Sequence, residues 1–318
     1  MKVTEHIANS KAKPVISFEI LPPTKGKSIH SIYEILDPLM EFDPSFINVT
    51  YHRSEQIFKQ RTDGSFNKVD IRKRPGTVGI CAAIMNHYKV DAVPHLICGG
   101  FSKDETENAL IDLNFLGINN VLVLRGDPPK GEKYFRPHPN GHNFAIDLVK
   151  QVVELNQGSY LEDDITNADT TNFCIGVAGY PEKHFESANP MLDLMHLKQK
   201  VDAGAEYIAT QMFFDNEKYF EFVKQCREAD IHVPIIPGLK PLSTQRQLTM
   251  IPSIFHVDLP EELVKNMMNA STKQEQRKVG EDWLFQQASE LMEHGVPGLH
   301  FYTLGKPDLV YNVMKKLT

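Results

Sequence analysis

The chain is organised around the stretch Asn119-Asn120-Val121-Leu122-Val123-Leu124-Arg125-Gly126-Asp127-Pro128-Pro129. Four consecutive apolar residues, two of them β-branched, predict a short buried strand that stops at Arg125. Two prolines follow, and proline cannot donate a hydrogen bond to a sheet. The stretch therefore carries an arginine and a carboxylate to the carboxyl end of a strand, where parallel sheets and barrels bind ligands. Taken alone, it is equally compatible with a strand-ending turn that contains a local Arg–Asp pair.

Strand and helix patterns alternate along the rest of the chain. Besides 119–125, the sequence predicts strands at 15–20, 46–51, 92–98, 171–178, 207–213, 233–237 and 298–303. It predicts helices at 28–39, 75–88, 102–116, 144–155, 190–203, 216–229, 243–253, 260–269, 274–294 and 308–317. Residues 53–74 and 128–142 are predicted to be long loops. Such alternation implies parallel strands with right-handed crossovers, and eight β/α units without a linker predict one closed (β/α)₈ TIM barrel over residues 1–318.

Composition, cysteine spacing and the N-terminal sequence exclude several classes of protein. The net charge of −7 argues against non-specific binding to nucleic acid or to an anionic membrane. The four cysteines are scattered without a C-x-x-C pair, so we expect neither a disulfide framework nor a zinc site. His138 and His142 lie in a Pro/Gly-rich loop without a nearby carboxylate, and no metal is expected there. The N-terminus lacks a signal-peptide pattern and no long apolar run occurs, so we expect a cytoplasmic protein.

Polar residues fall on one face of several predicted strands. Side chains alternate along a strand, and in a closed barrel the face turned away from the helices lines the interior. We expect the apolar faces of the first two strands to pack on helices and their polar faces to point inward near the carboxyl ends. The inward polar positions, with Asp127 just past its strand, are Ser17, Glu19, Asn48, Thr50 and Gln211.

Glu19 is the most informative of these positions. A carboxylate inside a barrel is costly unless it is paired or solvated, and a structural explanation would need a partner such as Arg125. A functional explanation is that burial raises the pKa of a carboxyl group, leaving it protonated and able to act as a general acid. The residues alone leave both explanations open.

Nine motifs together resemble the methylenetetrahydrofolate reductase family, in its bacterial form with a catalytic domain only. Each motif is weak alone, but nine of them in order over about 290 residues are highly specific. They are Ser17-Phe18-Glu19 with Pro22-Pro23, Asn48-Val49-Thr50-Tyr51, Pro94-His95-Leu96, Leu124-Arg125-Gly126-Asp127-Pro128, Gly179-Tyr180-Pro181-Glu182-Lys183-His184, residues 197–205, Thr210-Gln211-Met212-Phe213-Phe214-Asp215, Ile236-Pro237-Gly238 and His300-Phe301-Tyr302-Thr303-Leu304.

The resemblance implies a TIM barrel with FAD at its carboxyl rim. NAD(P)H would reduce the flavin and leave, and 5,10-methylenetetrahydrofolate would take its place and be reduced to 5-methyltetrahydrofolate, a ping-pong scheme that supplies methyl groups for methionine synthesis. Glu19 corresponds to the general acid that protonates N10, and Asp127 to a carboxylate beside the flavin that favours the cationic folate intermediate. The positions corresponding to FAD contacts are Thr50, His95, Leu124, Arg125, Gly126, Asp127, Tyr180, His184, Asp193 and Lys200. Those on the folate side are Glu19, Asp127, Gln211, Tyr302 and Lys306.

Some positions depart from the family pattern. His196 and Gln199 stand where some members have asparagine and arginine, and Lys306 replaces an arginine, which removes a bidentate partner for a carboxylate. Because the chain ends just after the eighth unit, no regulatory domain is expected. We expect a homo-oligomer. Two alternatives remain open: a flavin-free barrel that transfers a group on a pterin or folate, and a flavin-binding electron-transfer subunit of a larger complex.

Overall fold

Eight parallel strands close into a barrel in the computed structural model of the chain, which describes residues 1–11, 13–128, 132, 134–303 and 305–318, with only the backbone at 55, 56 and 70. Their spatial order is β1-β10-β9-β8-β7-β6-β5-β2. The strands are β1 (Val15–Ile20), β2 (Phe46–Val49), β3 (Glu55–Gln60), β4 (Phe66–Ile71), β5 (Asp91–Ile97), β6 (Asn120–Leu124), β7 (Cys174–Gly179), β8 (Tyr207–Met212), β9 (Ile235–Leu239) and β10 (Gly298–Tyr302). The predicted (β/α)₈ barrel is confirmed.

Helices cover the outside of the barrel, apart from α1, which precedes the first strand. They are α1 (Val3–Asn9), α2 (His30–Leu36), α3 (Thr77–Tyr88), α4 (Lys103–Phe115), α5 (Ala145–Asn156), α6 (Pro190–Asp202), α7 (Asn216–Glu228), α8 (Gln247–Phe255), α9 (Glu261–Asn269), α10 (Lys273–Glu293) and α11 (Asp308–Leu317), with a 3₁₀ turn at Leu39–Phe42. In the described part of the chain, no helix has both the length and the apolar character needed to cross a membrane.

Local capping signals explain several helix starts. The Ser102 hydroxyl accepts a hydrogen bond from the Glu105 amide at 3.1 Å, and the Glu105 carboxylate accepts one from the Ser102 amide at 2.8 Å, which is the predicted capping box. Asn189 caps α6 as predicted, accepting from the Leu192 amide at 2.9 Å. The predicted cap of α2 at Ser28 is wrong, because that helix begins at His30 without a side-chain cap.

Two elements differ from the sequence predictions. Residues 53–74 are not a structureless loop: β3 and β4 pair antiparallel as a hairpin, whose turn is closed by Asp63 accepting from the Ser65 amide at 2.9 Å and by Gly64 at φ +83°. Helix α1, which the sequence did not predict, lies under the barrel, where the Val3 amide donates to Asn120 Oδ1 at 2.8 Å. In the other long loop, residues 129–131 and 133 lie outside the described residues, and the rest of 128–142 has neither helix nor strand.

The interior of the barrel is apolar at its amino end and polar at its carboxyl end. Apolar side chains fill the lower half, beneath a polar layer near the strand ends; they are Val3, Val15, Phe46, Val93, Leu122, Cys174, Tyr207, Ala209 and Ile236. The alternate residues of β1 and β2 pack outward in the main core with the helices, as predicted: Phe18, Ile20, Ile47 and Val49. Because side chains alternate along each strand, Ser17, Glu19 and Asn48 point into the barrel, and all three are buried.

Candidate active site

Glu19 lies near the carboxyl end of β1, buried against two imidazoles. Its Oε2 atom is 3.4 Å from His95 Nε2 and 3.5 Å from His300 Nε2. Burial lowers the pKa of His95 to about 4, more than the nearby Glu19 charge can offset, so this ring is neutral at pH 7. Glu19 therefore has two close imidazole partners, and burial favours the uncharged form of the His95 ring.

Further contacts fix the two imidazoles. Ser17 Oγ lies 2.9 Å from His300 Nδ1, and Asn48 Nδ2 lies 3.4 Å from His95 Nε2. The Tyr302 ring meets His300 edge to face, with ring centroids 5.0 Å apart. Adjacent strands carry these residues at one level, because Glu19 is in register with Tyr302 on one side and with Asn48 on the other.

Tyr302 leans across the barrel towards β8. Its hydroxyl donates to the Thr210 carbonyl at 2.6 Å. The ring can reach that position because β9 has a glycine there: a Cβ on Gly238 would lie 2.6 Å from Tyr302 Cε2 and 2.3 Å from the Thr210 carbonyl oxygen. Gly238 is thus required for the close approach of a side chain and a backbone carbonyl.

Arg125 is not the partner of Glu19. Its guanidinium Nη1 lies 2.5 Å from Glu186 Oε2, and its Cζ lies 4.9 Å from the centroid of the Phe135 ring. The structural explanation of Glu19 therefore does not hold in the form that the sequence suggested, since histidines and not an arginine surround the acid.

A second group of residues forms a cationic cluster beyond β6 and β7, in which Arg125 and Lys200 carry the charge and the His184 ring lies near them. Lys200 Nζ donates to the Ala178 carbonyl at 2.9 Å, and burial lowers the pKa of this lysine to about 8 although Asp193 acts in the opposite sense. Burial, and next the Arg125 charge, lower the pKa of His184. With the amino end of α6 near it, the cluster has the positive charge that favours a phosphate group.

Asp193 holds the segment that carries this cluster. Its carboxylate accepts from the His184 amide at 3.0 Å and from the Ser187 hydroxyl at 2.8 Å. Tyr180, just past β7, packs edge to face on His184, with centroids 4.8 Å apart. Both carboxylate oxygens of Asp193 thus stabilise the loop between β7 and α6.

Asp127 is exposed at the rim just past β6, where Gly126 turns the chain at φ +85°. Burial raises the pKa of Tyr180, and the charge of Asp127 is the next cause. Burial is also the largest cause of the raised pKa of Tyr302. The charge of Glu19 and an interaction with Tyr180 are smaller causes in the same direction. Glu19 lies near the carboxyl end of β1 and Asp127 just past the carboxyl end of β6, so both face the same mouth of the parallel barrel.

Comparison with known proteins identifies the family. The family model for methylenetetrahydrofolate reductase matches residues 2–318. The chain belongs to this family. The 5,10-methylenetetrahydrofolate reductase of Escherichia coli is 30% identical over 316 residues, covering 99% of this chain and 94% of that protein. The chain spans about half the length of the plant relatives: methylenetetrahydrofolate reductase (NADH) 1 of Arabidopsis thaliana is 29% identical over 329 residues, covering 100% of this chain and 51% of that protein.

A solved structure shares the fold. A protein from Clostridium thermocellum that binds two copies of 5-methyl-5,6,7,8-tetrahydrofolic acid superposes with a TM-score of 0.57 at 15% identity, covering 98% of each chain. At this level of identity, the similarity supports the barrel and no more.

The remaining positions matched to the reductase family lie around the same mouth. Thr50 follows β2, and its hydroxyl donates to the Ile20 carbonyl at 3.3 Å, while Leu124 is the last residue of β6. Gln211 falls on the inward face of β8, with Oε1 accepting from the Met212 amide at 2.9 Å. Lys306 is exposed just beyond β10. The positions predicted for a site therefore converge on the carboxyl ends of the strands.

The sequence patterns did not identify two residues at this mouth. His300 belongs to a predicted strand and to one of the nine motifs but not to the predicted site, although its apolar neighbours Leu299 and Phe301 imply that it points inward. Lys240 follows Ile236 and Gly238 on the inward face of β9, and the charge of Glu19 acts on it. The same period-two alternation would have found Lys240 had the strand been extended past Pro237.

Proposed function

We propose that this protein reduces 5,10-methylenetetrahydrofolate to 5-methyltetrahydrofolate with NAD(P)H, through bound FAD, as a catalytic barrel formed by residues 1–318. The observation that carries the proposal is the buried acid at the mouth, Glu19, facing the same opening as a separate cationic cluster. A cytoplasmic location, a homo-oligomeric state and a role in supplying methyl groups for methionine synthesis are part of the same proposal.

The residues present suit FAD. Arg125 and Lys200 would hold its pyrophosphate with the amino end of α6, because this group needs cations and amide donors. His184 and Tyr180 would pack against the cofactor beside them, and Thr50, His95, Leu124, Gly126 and Asp193 complete the proposed contacts. When bound, FAD supplies the hydride chemistry, and the protein supplies position and charge.

Glu19 would move the proton that opens the substrate. Protonation of N10 by the Glu19 carboxyl breaks the N10–methylene bond of the five-membered ring, leaving a cationic iminium on N5. The neutral His95 ring can donate or accept according to its tautomer, so it tolerates either protonation state of the acid. Asp127, a carboxylate at the rim, would favour the cation electrostatically. Gln211, Tyr302 and Lys306 would bind the folate on the opposite side of the mouth.

The experiment separates the two half-reactions. We expect Glu19→Gln to keep reduction of the flavin by NAD(P)H and to lower reduction of the folate by about 10²- to 10⁴-fold, the usual contribution of a general acid. Glu107→Gln is the matched control, because Glu107 is also buried but accepts from the Leu161 amide on the outer side of α4. Survival of both half-reactions in Glu19→Gln would exclude Glu19 as the acid.

Simple observations test the alternatives. A colourless preparation that still acts on folate would favour the flavin-free transferase. A yellow protein that neither nicotinamide bleaches under anaerobic conditions would favour the electron-transfer subunit. Rapid bleaching by NADH or NADPH, followed by reoxidation with the folate, is the result that the proposed function requires.

A further inference from the structure

Lys240 lies at the mouth of the barrel, on the inner face of β9. Side chains alternate along this strand: Ile236 belongs to the barrel interior, and Leu239 packs outward in the core with the helices. A Cβ on Gly238 would meet the Tyr302 ring, which places Gly238 on the inner face as well. Lys240 directly follows β9 and is two residues beyond Gly238, so it continues the inner face at the carboxyl end.

The strand register brings Lys240 to the level of Glu19. Leu239 is in register with Phe301 on β10, so the next residue, Lys240, lies level with Tyr302. Tyr302 is in turn in register with Glu19 on β1. Two strand spacings, about 10 Å, therefore separate the backbones of the lysine and the acid. The two side chains flank one opening, with the acid on β1 and the lysine on β9.

The Lys240 ammonium has no partner in the described part of the chain. None of the described residues accepts a hydrogen bond from it, and Glu19 is within ion-pair distance of His95 and His300 but not of Lys240. The residue is half-buried, and burial lowers its pKa to about 8 although the charge of Glu19 acts in the opposite sense. A cation withdrawn from water without a partner is destabilising, and a bound anion would remove that cost.

Lys306 provides a second ammonium group beside this one. It is exposed just past β10, and its charge repels that of Lys240. Its backbone amide donates to the Thr303 carbonyl at 3.0 Å, whereas its ammonium has no acceptor among the described residues. Asp308, which the charge of Lys306 reaches, is paired with Arg277. Two lysines from neighbouring strands can each donate to one oxygen of a carboxylate, which a single lysine does not do.

The substrate of the proposed function carries such a carboxylate, and the inference rests on that function. In a folate, N10 is attached to a benzoyl group whose amide leads to a glutamate. With N10 at Glu19, this rigid spacer carries the glutamate away from the acid by a length comparable with two strand spacings. On the cofactor side of the mouth, the charge of Arg125 is already paired with Glu186. The unpaired ammonium groups of Lys240 and Lys306 lie on the folate side.

We propose that Lys240, together with Lys306, binds the α-carboxylate of the glutamate attached to the benzoyl group of the folate. This carboxylate is free both in folates with one glutamate and in those with a longer tail, because further glutamates are joined through the γ-carboxylate. Lys240 is then a specificity-determining residue, which distinguishes a folate from a pterin compound without glutamate. Its unpaired charge in the free protein becomes a charge-assisted contact when the substrate binds.

The first experiment compares two substrates that differ only in the glutamate, 5,10-methylenetetrahydrofolate and 5,10-methylenetetrahydropteroate. We expect Lys240→Met to raise KM for the folate about 10- to 100-fold, the effect of one hydrogen bond to a charged group, and to leave KM for the pteroate unchanged. Lys265→Met is the matched control, because Lys265 is exposed on α9, and it should change neither KM. An equal loss on both substrates would assign Lys240 to the surroundings of Glu19 and overturn the proposal, as would no loss on either.

A binding measurement tests the same contact without catalysis. Equilibrium dialysis of the oxidised holoenzyme with 5-methyltetrahydrofolate should give a Kd about 10- to 100-fold higher for Lys240→Met than for the wild-type protein. With 5-methyltetrahydropteroate the two proteins should bind equally. A wild-type protein that reduces neither the folate nor the pteroate refutes the proposed function and this inference with it. A wild-type protein that reduces both with the same KM refutes this inference alone.

Discussion

Replacing Lys240 by methionine should stabilise the protein at neutral pH. Lys240 extends the inward face of β9 to the mouth of the barrel, where Glu19 attracts its charge and Lys306 repels it. Burial is the largest influence and lowers its pKa to about 8 from an ordinary value of 10.5. The folded protein therefore holds this proton less tightly than the unfolded chain does, and the charged lysine reduces the free energy of unfolding. Methionine has a similar length and carries no charge.

The size of the stabilisation follows from the difference between the pKa of Lys240 in the folded protein and in the unfolded chain. A pKa lowered from 10.5 to about 8 corresponds to roughly 3 kcal/mol at most, and the partial exposure of Lys240 reduces the expected gain to about 1–3 kcal/mol. Between pH 8 and 10.5 the unfolded chain binds more protons than the folded protein, so the wild-type protein becomes more stable as the pH rises. The advantage of Lys240→Met should therefore be complete below pH 8, shrink across this interval and vanish above it.

Urea denaturation at pH 7 and again near pH 10 measures the effect, with fluorescence of the single tryptophan, Trp283, as the signal. Lys150→Met is the control, because Lys150 is exposed on α5 and its replacement should change the free energy of unfolding by less than about 0.5 kcal/mol. A Lys240→Met protein less stable than wild type at pH 7, or a gain independent of pH, would refute the reasoning. A stabilised variant that no longer reduces folate would show that Lys240 is needed for the reaction although it lowers the stability of the folded protein.

Two further substitutions test the packing of the barrel and one helix cap. Gly238→Ala places a Cβ 2.3 Å from the Thr210 carbonyl oxygen and 2.6 Å from the Tyr302 ring, so the free energy of unfolding should fall by about 1–3 kcal/mol, and an unchanged urea midpoint would contradict this. Ser102→Ala removes the hydroxyl that accepts from the Glu105 amide, and should lower stability by about 0.5–2 kcal/mol in the same assay, whereas Ser102→Asp should restore it.

The barrel and the position of its acid could be predicted because both follow from local periodicity. Apolar and polar residues alternate along β1 and β2, and this alternation decides which side chains enter a closed barrel. Parallel strands then bring all carboxyl ends to one rim. Glu19, Asn48 and Gln211 fall on the predicted face for that reason, although they are far apart in the sequence.

The surroundings of the acid could not be predicted in the same way. Which side chain contacts Glu19 depends on the register between β1, β5 and β10, and a single strand pattern does not contain that register. His95 and His300 were therefore not identified as its partners, and Arg125 was considered in their place. The β3–β4 hairpin was not predicted for a different reason. Most of its residues are polar, and none of its described side chains belongs to the hydrophobic core, so its sequence lacks the apolar pattern by which a buried strand is predicted.

At the mouth of the barrel, the charge of Arg125 is paired with an acid other than Glu19. An arginine beside a carboxyl group favours the ionised form of that carboxyl group, which then becomes a poor proton donor. Arg125 could have had this effect on Glu19, yet it is held by Glu186 at 2.5 Å and covered by Phe135. The side-chain hydrogen bond from Arg125 in turn lowers the pKa of Glu186, so this pair is ionised at neutral pH. Glu186 thus holds the Arg125 guanidinium near the loop between β7 and α6, and Glu186→Gln would remove this partner.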